Sequence, residues 1–496
     1  MIENKTNSRL IKNAVVWSFA AELTAKLIVP ITNMILARIL APEAFGVIAT
    51  INLIVTFADM ISTSGISKYI VQKNFNSEEE LYRNADVAFW TNSFISIFGW
   101  IIIAVFRFPI CRWVGNVGYE IPLVIASLSL PLTAFSSIQE SFFQRYFNYK
   151  ALFYRRCAVS LLPFFITIPL ALCGYSYWAL IIGNLAGNVL KIVILSIYSK
   201  WKPSLYFSFK MLKNMSSFCV WMVLGAIASW SVSSIDILII SNRLGEYYTG
   251  LYKNSQSTVT GLISIITASI TSVLFASLSR EQNNPDKFES LLFSFQRKIS
   301  IFVIPMGIGI FFYSELITKI LLGSQWLEAS GFIGIWGLSS ALYCIFADFC
   351  REAFRAKGRP KITFYVQIIY IFFLIPVCYF SVDKGFEFLG IVRSAANLHM
   401  IFLYFVAIFI FLKISPLKMI KNIKEPIFCS LIMAAIAWFI APFIKGNYLM
   451  QFLSIIFLTI VYFSILFMFK SYRNDLLKII KEFRKKFRKG AVNHHE

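Results

Sequence analysis

Apolar runs of about twenty residues recur along the whole chain and are separated by short polar loops. A helix of that length crosses the hydrocarbon core of a bilayer, whereas a membrane β-barrel would show shorter alternating segments, which are absent. The predicted fold is therefore an all-α polytopic membrane protein. Its fourteen expected transmembrane helices lie at residues 14–36, 45–70, 84–106, 119–143, 157–174, 177–198, 215–241, 249–277, 297–318, 329–350, 362–382, 388–412, 426–444 and 448–469.

The order of the runs predicts two lobes of six helices each, residues 1–198 and 215–412, joined by a cytoplasmic amphipathic linker at 199–214. An extra helix pair at 413–469 and a basic cytoplasmic tail at 470–496 follow. Within the linker, the basic and aromatic residues 207–213 predict a separate helix in the membrane interface. The first run is too long and too polar for a cleaved signal peptide, so we expect it to remain as the first span.

Two loops that lie six spans apart have similar sequences. Each has an arginine, an aliphatic residue, a glutamate and then a glycine that opens the next span: Arg38, Ile39, Glu43 and Gly46 in one, Arg243, Leu244, Glu246 and Gly250 in the other. Internal repetition of a helical unit is typical of transporters. We therefore predict that the two lobes are related by an internal repeat. Chance similarity between two helix exits is the alternative.

Four spans, two from each predicted lobe, carry a polar stripe when residues are placed at about 100° intervals. The stripes are Ser18, Glu22, Lys26 and Asn33; Asn52, Thr56, Asp59 and Thr63; Ser229, Ser233 and Asp236; and Lys253, Ser257, Thr260, Ser264, Thr267 and Thr271. Hydroxyl groups alone are equally well explained by helix packing. A lone charge in hydrocarbon costs at least about 2.5 kcal/mol, so the charged stripes predict a shared, water-filled cavity.

The residues of this cavity suggest its chemistry. Lys26 and Lys253, with Arg38 and Arg243 near its mouth, would favour an anionic group such as a phosphate. The hydroxyls of Ser257, Thr260 and Ser264 would suit a sugar.

Three carboxylates, Glu22, Asp59 and Asp236, are candidates for exchanging a proton or a cation. Mutual neutralisation of Glu22 and Lys26, which are spaced i,i+4, is an equally supported alternative. Pro30 and Gly261 are predicted bending points. The remaining intramembrane charges are expected to reach the interface from the ends of their spans: Glu140, Lys191, Asp348 and Arg393.

Basic residues outnumber acidic ones, 47 to 25, which gives a net charge of +22. They concentrate in the tail and in the short loops on one side of the predicted membrane, as the positive-inside rule describes. This distribution argues against nucleic-acid binding and places both termini in the cytoplasm. The eight cysteines form no CxxC motif, so neither a disulfide framework nor a metal site is expected.

Three sequence stretches resemble those of a known family. Residues 36–46, Leu-Ala-Arg-Ile-Leu-Ala-Pro-Glu-Ala-Phe-Gly, resemble the first outer loop of bacterial polysaccharide flippases, members of the multidrug/oligosaccharidyl-lipid/polysaccharide exporter superfamily. Residues 321–329 resemble the Gly-x-x-Trp turn after span nine of these proteins, and residues 355–360 resemble the basic Lys-Gly-Arg turn after span ten. The order of the motifs and the fourteen-span plan extend the resemblance to the whole chain, nearest to the branch that handles O-antigen, capsule or exopolysaccharide units.

The resemblance implies a flippase that moves undecaprenyl-diphosphate-linked oligosaccharides across the bacterial inner (cytoplasmic) membrane by alternating access, in lipopolysaccharide or exopolysaccharide biosynthesis. It implies antiport driven by a proton or sodium gradient, without a cofactor. The implied partners are the lipid-linked oligosaccharide and membrane lipids, with a polysaccharide polymerase and glycosyltransferases as candidate protein partners. Relatives that move the peptidoglycan precursor use cavity arginines, whereas these spans contain Lys26 and Lys253, which argues against that cargo.

Other functions fit the sequence less well. A cation-coupled multidrug exporter of the same superfamily would have a more acidic and aromatic cavity and usually twelve spans. A membrane polysaccharide polymerase or acyltransferase would need catalytic residues, but the chain has no Asp-x-Asp pair and only His399, His494 and His495 as histidines. The outer loops are also too short for a catalytic pocket. We therefore expect no enzymatic activity and no catalytic residues.

Overall fold

The computed structural model describes residues 28–63 and 65–474, together with Trp17, Thr24, Lys26 and Leu477. Helices dominate this part of the chain, and no strand occurs in it. The α-helices are α1 (Ile28–Ile39), α2 (Pro42–Thr63), α3 (Ile66–Gln72), α4 (Glu78–Val105), α5 (Arg107–Val114), α6 (Glu120–Ser127), α7 (Ser129–Arg145), α8 (Tyr149–Phe165), α9 (Thr167–Leu172), α10 (Ser176–Tyr198), α11 (Phe209–Arg280), α12 (Pro285–Phe312), α13 (Ser314–Leu321), α14 (Ser330–Tyr343), α15 (Phe349–Ala356), α16 (Pro360–Val382), α17 (Phe386–Leu412), α18 (Pro416–Lys421), α19 (Lys424–Ile444) and α20 (Tyr448–Met468).

Among the described residues, twelve helical segments are long and apolar enough to cross a membrane. They are Pro42–Thr63, Glu78–Val105, Glu120–Arg145, Tyr149–Leu172, Ser176–Tyr198, Met222–Thr267, Pro285–Phe312, Ser324–Ala356, Pro360–Val382, Phe386–Leu412, Lys424–Ile444 and Tyr448–Met468. The all-α polytopic class is confirmed, but the count of fourteen is not. Residues 14–16, 18–23, 25 and 27 of the first predicted span, 14–36, lie outside the described residues, and segment 222–267 covers most of the seventh and eighth predicted spans.

Helix α11 is two helices joined at Gly245, where φ is 81° and ψ is −175°. Glycine adopts positive φ without the steric cost that a side chain would impose. The two arms, residues 209–244 and 246–280, contain the predicted seventh and eighth spans. The first arm begins at Phe209 and continues into the span, so residues 209–213 are helical as the start of a longer helix; their position in the membrane interface stays a prediction. No glycine or proline lies between Phe209 and Gly225, so nothing in the sequence ends a helix there.

The described chain forms two compact units. One runs to Ser269 and also contains Leu321–Ala329 and Phe364–Arg393. Its apolar clusters include Phe89, Phe142 and Trp201, whose rings pack together. All the described candidate site residues lie in this first unit. The division into two six-helix lobes stays a prediction, since the compact units follow a different partition.

The second unit consists of Ile270–Ile320, Ser330–Thr363 and the chain from Ser394 onward. Here α19 and α20 correspond to the predicted C-terminal helix pair, and both contribute to a core shared with α12. The Tyr462 hydroxyl donates to the Ile301 carbonyl at 2.9 Å, and the Tyr313 and Ser454 hydroxyls lie 2.8 Å apart. These buried bonds satisfy polar groups that hydrocarbon would leave unpaired.

Candidate functional site

The first arm of α11 is exposed on two opposite faces. Ser229 and Ser233 are exposed on one face, and Val220 and Leu224 are exposed on the other. Val220 and Ser229 are nine residues apart, which is about 180° around a helix. The apolar face suits lipid, whereas exposed hydroxyls at membrane depth are stable only beside protein or water. The Ser229 hydroxyl donates to the Gly225 carbonyl at 3.1 Å and lies 3.4 Å from Gln367 Oε1, and the Ser233 hydroxyl donates to the Ser229 carbonyl at 3.2 Å. The hydroxyls of this face are therefore satisfied within the protein.

Helix α10 has the same two-sided exposure. Val189 and Val193 are exposed on one side, whereas Asn184 is exposed on the opposite side. Asn188 and Lys191 follow Asn184 at i+4 and i+7 and continue its polar stripe. This stripe was missing from the sequence prediction, although the same angular spacing that identified the other four would have found it.

A small cavity of about 20 Å³, room for about one water molecule, lies between α2, α10 and the start of α7. Its polar lining includes Asn52, Ser129 and Asn184. The Trp230 indole N–H donates at 3.2 Å to the hydroxyl of Thr56, which lies one helical turn beyond Asn52. The second and seventh predicted spans therefore contact each other at Thr56 and Trp230.

Helix α1 packs antiparallel to the second arm of α11. The Asn33 side-chain amide donates to Asn254 Oδ1 at 2.6 Å, and Pro30 Cγ would lie 3.4 Å from a Cβ on Gly261. Helical geometry continues through both Pro30 and Gly261. Gly261 is therefore not a bend, because α11 departs from helical angles at Gly245 instead.

The two candidate lysines lie at different levels of this helix pair. Lys253 adjoins Asn254, whereas Lys26 is seven residues from Asn33, or about 10 Å along a helix. Both lysines are half-buried. The two lysines are therefore separate cationic positions along this helix pair, and phosphate binding by them stays a prediction.

The candidate hydroxyls of the eighth span differ in exposure. Ser257 and Thr260 are exposed, whereas Ser264 donates to the Gly261 carbonyl at 2.8 Å within its own helix. The predicted stripe residues Ser18 and Glu22 and the side chain of Thr271 lie outside the described residues. Glu22 stays a prediction from the sequence.

Asp236 is buried with a cationic partner. Arg393 Nε lies 2.9 Å from Asp236 Oδ2, and the Tyr252 hydroxyl donates to the same oxygen at 2.6 Å. The Tyr370 hydroxyl completes the cluster at 3.1 Å from Arg393 Nη1. The expectation that Arg393 reaches the interface is therefore wrong, because its side chain is buried against a carboxylate that stabilises its charge.

Asp59 has a different environment. Its Oδ1 accepts a 2.6 Å hydrogen bond from Thr133, and its Oδ2 accepts a 3.4 Å bond from Thr63. Lys191 is close enough to interact electrostatically with the Asp59 carboxylate. Both bonded donors are neutral hydroxyls, which stabilise a carboxylate less than an arginine does.

A third intramembrane charge cluster joins α7, α8 and α10. Both Glu140 oxygens lie 3.0 Å from the Arg155 guanidinium, and Lys191 Nζ lies 2.9 Å from Glu140 Oε2. Glu140 and Lys191 were expected to reach the interface separately, but they bind each other instead. Asp348, in the second unit, pairs with Arg351 at 2.9 Å on a π-helical turn.

Arg38 and Arg243 lie at the ends of their helices, away from the lysines, and both are exposed. Arg243 Nη2 donates to the Tyr379 hydroxyl at 2.7 Å, and its Nη1 lies 3.6 Å from Asp383. A Cβ on Gly323 would lie 3.6 Å from Arg38 Cγ.

Nearby, the Trp326 indole of the predicted Gly-x-x-Trp turn donates to the Ala37 carbonyl at 2.6 Å. The sequence motifs at 36–46 and 321–329 therefore form one contact. Burial raises the pKa of Tyr119 at this end, and the carboxylates of Glu246 and Glu43 raise it further. The two glutamates, which occupy equivalent positions in the similar loops, therefore both raise the pKa of the Tyr119 hydroxyl.

Within the described residues, no group of three or more metal-ligating side chains could hold a metal ion. The first unit combines membrane-length helices, lipid-compatible outer faces and a polar interior that contains paired and unequally stabilised charges. These features define a polytopic helical membrane protein with charged and hydroxyl groups between its membrane-length helices; the shared water-filled cavity stays a prediction.

Residues 35–331 match the family model described as "Polysaccharide biosynthesis protein". The chain belongs to this polysaccharide biosynthesis protein family, which confirms the family resemblance predicted from the three motifs.

Two relatives agree with this assignment, and one solved structure has a similar fold. The chain is 23% identical to the succinoglycan biosynthesis transport protein ExoT of Rhizobium meliloti, over 73% of this chain and 72% of the relative. It is 21% identical to the lipopolysaccharide biosynthesis protein WzxC of Escherichia coli, over 83% and 84% of the two chains. Its fold is similar to the inward closed conformation of the lipid II flippase MurJ, with a TM-score of 0.73, 17% identity and coverage of 92% and 99%.

Proposed function

We propose that this protein is a flippase that translocates undecaprenyl-diphosphate-linked oligosaccharide units from the cytoplasmic to the periplasmic leaflet of the bacterial inner membrane. Its family and its similarity to the succinoglycan and lipopolysaccharide biosynthesis proteins ExoT and WzxC support a role in surface polysaccharide biosynthesis. The observation that carries the proposal is the polar face of the segment Met222–Thr267 in the first unit, where the exposed hydroxyls of Ser257 and Thr260 accompany the half-buried Lys253. No catalytic step is required of these residues.

The two lysines are the proposed diphosphate-binding residues. Their separate levels on the α1–α11 pair offer two successive positions for one anionic group during translocation. Ser257 and Thr260 add exposed hydroxyls beside this path, with Ser264 as a weaker candidate because its hydroxyl bonds its own helix. Arg38 and Arg243 would attract the anion at the periplasmic mouth, and the lipid tail would remain in the bilayer.

Coupling to a proton or sodium gradient is proposed to use Asp59, with Glu22 as the second candidate. Asp59 is the better of the two described carboxylates because neutral hydroxyls are its hydrogen-bond donors, which leaves more of its charge to be balanced by a mobile cation. Asp236 already has the Arg393 guanidinium at 2.9 Å. A positioning role is therefore proposed for Asp236 in place of the coupling role suggested by its sequence stripe.

Deletion of the gene followed by analysis of lipid-linked intermediates tests the proposal. We expect the complete repeat unit on undecaprenyl diphosphate to accumulate in the cytoplasmic leaflet, with restoration of surface polysaccharide by the wild-type gene. Accumulation in the periplasmic leaflet would indicate a polymerase instead. Unchanged polysaccharide combined with drug sensitivity would indicate a multidrug exporter.

A further inference from the structure

Helices α7 and α10 run parallel to each other in the first unit. At one level they share the cavity of about 20 Å³, which Ser129 of α7 and Asn184 of α10 line together with Asn52 of α2. Further along both helices, the Gln139 side-chain amide donates to the Ser196 hydroxyl at 3.0 Å, and this hydroxyl lies 3.2 Å from Gln139 Oε1. Contacts that advance in the same order on two helices require the helices to be parallel.

Asp59 of α2 and Lys191 of α10 lie at the same depth. Each is seven residues beyond the asparagine of its own helix that lines the cavity, or about 10 Å along the axis. Helix α2 runs in the same direction as the other two, because Asp59 Oδ1 accepts from Thr133, one turn beyond the cavity on α7. Both charged side chains are half-buried. Among the described residues, Lys191 is the charged group that interacts with the Asp59 carboxylate.

Lys191 pairs with Glu140, but this carboxylate already has another cation. Arg155 Nη1 lies 3.0 Å from Glu140 Oε2, and Arg155 Nη2 lies 3.0 Å from Glu140 Oε1. Such a bidentate pair is among the strongest contacts that a carboxylate makes. Lys191 Nζ, 2.9 Å from Glu140 Oε2, is therefore a second cation on one carboxylate. A lysine ammonium on its flexible stem changes partners more readily than a bidentate guanidinium does.

The four charged groups at this depth balance when Asp59 is ionised. Asp59 and Glu140 supply two negative charges, and Arg155 and Lys191 supply two positive charges. A cation bound to Asp59 would leave the group with a net charge of +1, and an ammonium beside Asp59 would repel that cation. The position of Lys191 therefore affects how tightly Asp59 can hold a cation.

We propose that Lys191 is a positioning residue for ion coupling, whose ammonium group moves between Glu140 and Asp59. While a proton or sodium ion occupies Asp59, Lys191 pairs with Glu140, which is the arrangement in the structure. When the cation leaves, the ammonium becomes the counter-charge of Asp59, and Arg155 alone holds Glu140. Lys191 thus competes with the coupling cation and promotes its release. This inference deepens the proposed flippase function and rests on the coupling role of Asp59.

The test measures transport by the full-length protein in vesicles, with lipid-linked oligosaccharide extracted from the deletion strain as the substrate. Proton and sodium gradients are imposed separately, and the concentration of the driving cation that gives half-maximal transport is determined. Lys191→Met removes the competing charge, so this concentration should fall about tenfold and the maximal rate should fall as cation release slows. A merely structural role would lower the rate without lowering this concentration. Lys191→Arg, which keeps the charge, should stay within about threefold of the wild type.

The two partners of this lysine predict opposite shifts. Glu140→Gln removes the alternative partner and holds Lys191 at Asp59, so the half-maximal concentration should rise about tenfold. Arg155→Met makes Glu140 depend on Lys191, so the half-maximal concentration should fall. Lys200→Met, which removes an exposed lysine just after α10, is the matched control and should leave it unchanged. If Glu140→Gln does not purify, the falls expected of Lys191→Met and Arg155→Met decide the question.

The outcomes separate this inference from the proposed function. An unchanged half-maximal concentration in Lys191→Met, or shifts of the same sign in Glu140→Gln and Arg155→Met, would overturn the role of Lys191 and leave the flippase function standing. Wild-type transport that ignores both gradients would contradict ion coupling, and with it the role of Lys191. Absence of transport by the wild-type protein would contradict the flippase function itself.

Discussion

Gly46 and Gly250 make reciprocal backbone contacts. A Cβ on Gly46 would lie 1.8 Å from the Glu246 carbonyl oxygen, and a Cβ on Gly250 would lie 1.9 Å from the Pro42 carbonyl oxygen. Each glycine thus packs against the turn that precedes the other. Reciprocal contacts arise when two similar units are related by a two-fold rotation. Because the two glycines occupy equivalent positions in the similar loops, the contact supports an internal repeat.

Alanine at either glycine should therefore destabilise the protein. Gly46→Ala and Gly250→Ala each place a methyl group inside the van der Waals radius of a backbone oxygen, so α2 and α11 must move apart. Overpacking of this kind costs about 1–3 kcal/mol, more than the gain of up to about 1 kcal/mol from replacing a helical glycine with alanine. Thermal unfolding in detergent should show a lower midpoint for both variants.

Gly225→Ala is the matched control, since Gly225 is also helical in α11 and has open space where a Cβ would lie. Its midpoint should equal or exceed that of the wild type. If Gly46→Ala and Gly250→Ala matched this control, the two helices would not be held by the glycine contact.

Removal of the positive charge at Lys26 or Lys253 should reduce transport. Lys26→Ala and Lys253→Ala should each lower surface polysaccharide about tenfold at equal protein levels, because a charge-assisted hydrogen bond contributes about 1.5–3 kcal/mol. Arginine at either position should restore much of the activity. Lys68→Ala, which removes an exposed lysine of α3, is the control. Full surface display by both alanine variants would rule out phosphate binding by these lysines.

Periodicity in the sequence identified much of the first unit, because membrane spans and polar stripes are properties of single helices. It therefore located Asp236 and Arg393 but could not pair them, since they lie 157 residues apart on different helices. The stripe at Asn184 is a different case. Asn184, Asn188 and Lys191 are spaced i, i+4 and i+7, so this stripe is a property of one helix that periodicity alone can predict. Tertiary contacts, such as those of Glu140 with Arg155, decide which charges are already satisfied.

Asp59 should control the dependence of transport on the ion gradient. Asp59→Asn removes the ionisable group but keeps a side chain of the same shape, which can still accept from Thr133. In vesicles loaded with substrate, we expect transport by this variant to lose most of its response to an imposed proton or sodium gradient. Asp286→Asn, at an exposed position in the first turn of α12, should respond as the wild type does.

Glu22→Gln extends this test to the carboxylate that the sequence placed beside Lys26. If Asp59→Asn kept the full gradient response and Glu22→Gln lost it, the coupling site would lie in the first span instead. A full response in both variants would remove both carboxylates from the coupling mechanism.

The pair of Asp236 and Arg393 should contribute to stability and not to coupling. Arg393→Met leaves the buried carboxylate without a counter-charge, which costs about 3–5 kcal/mol. The double variant Asp236→Asn/Arg393→Met removes both charges and should regain most of that loss, which a double-mutant cycle of thermal unfolding would measure. The double variant should also retain the gradient response, because neither charge exchanges with solvent ions. A double variant that folded as well as the wild type but transported without a gradient response would instead assign the coupling role to Asp236.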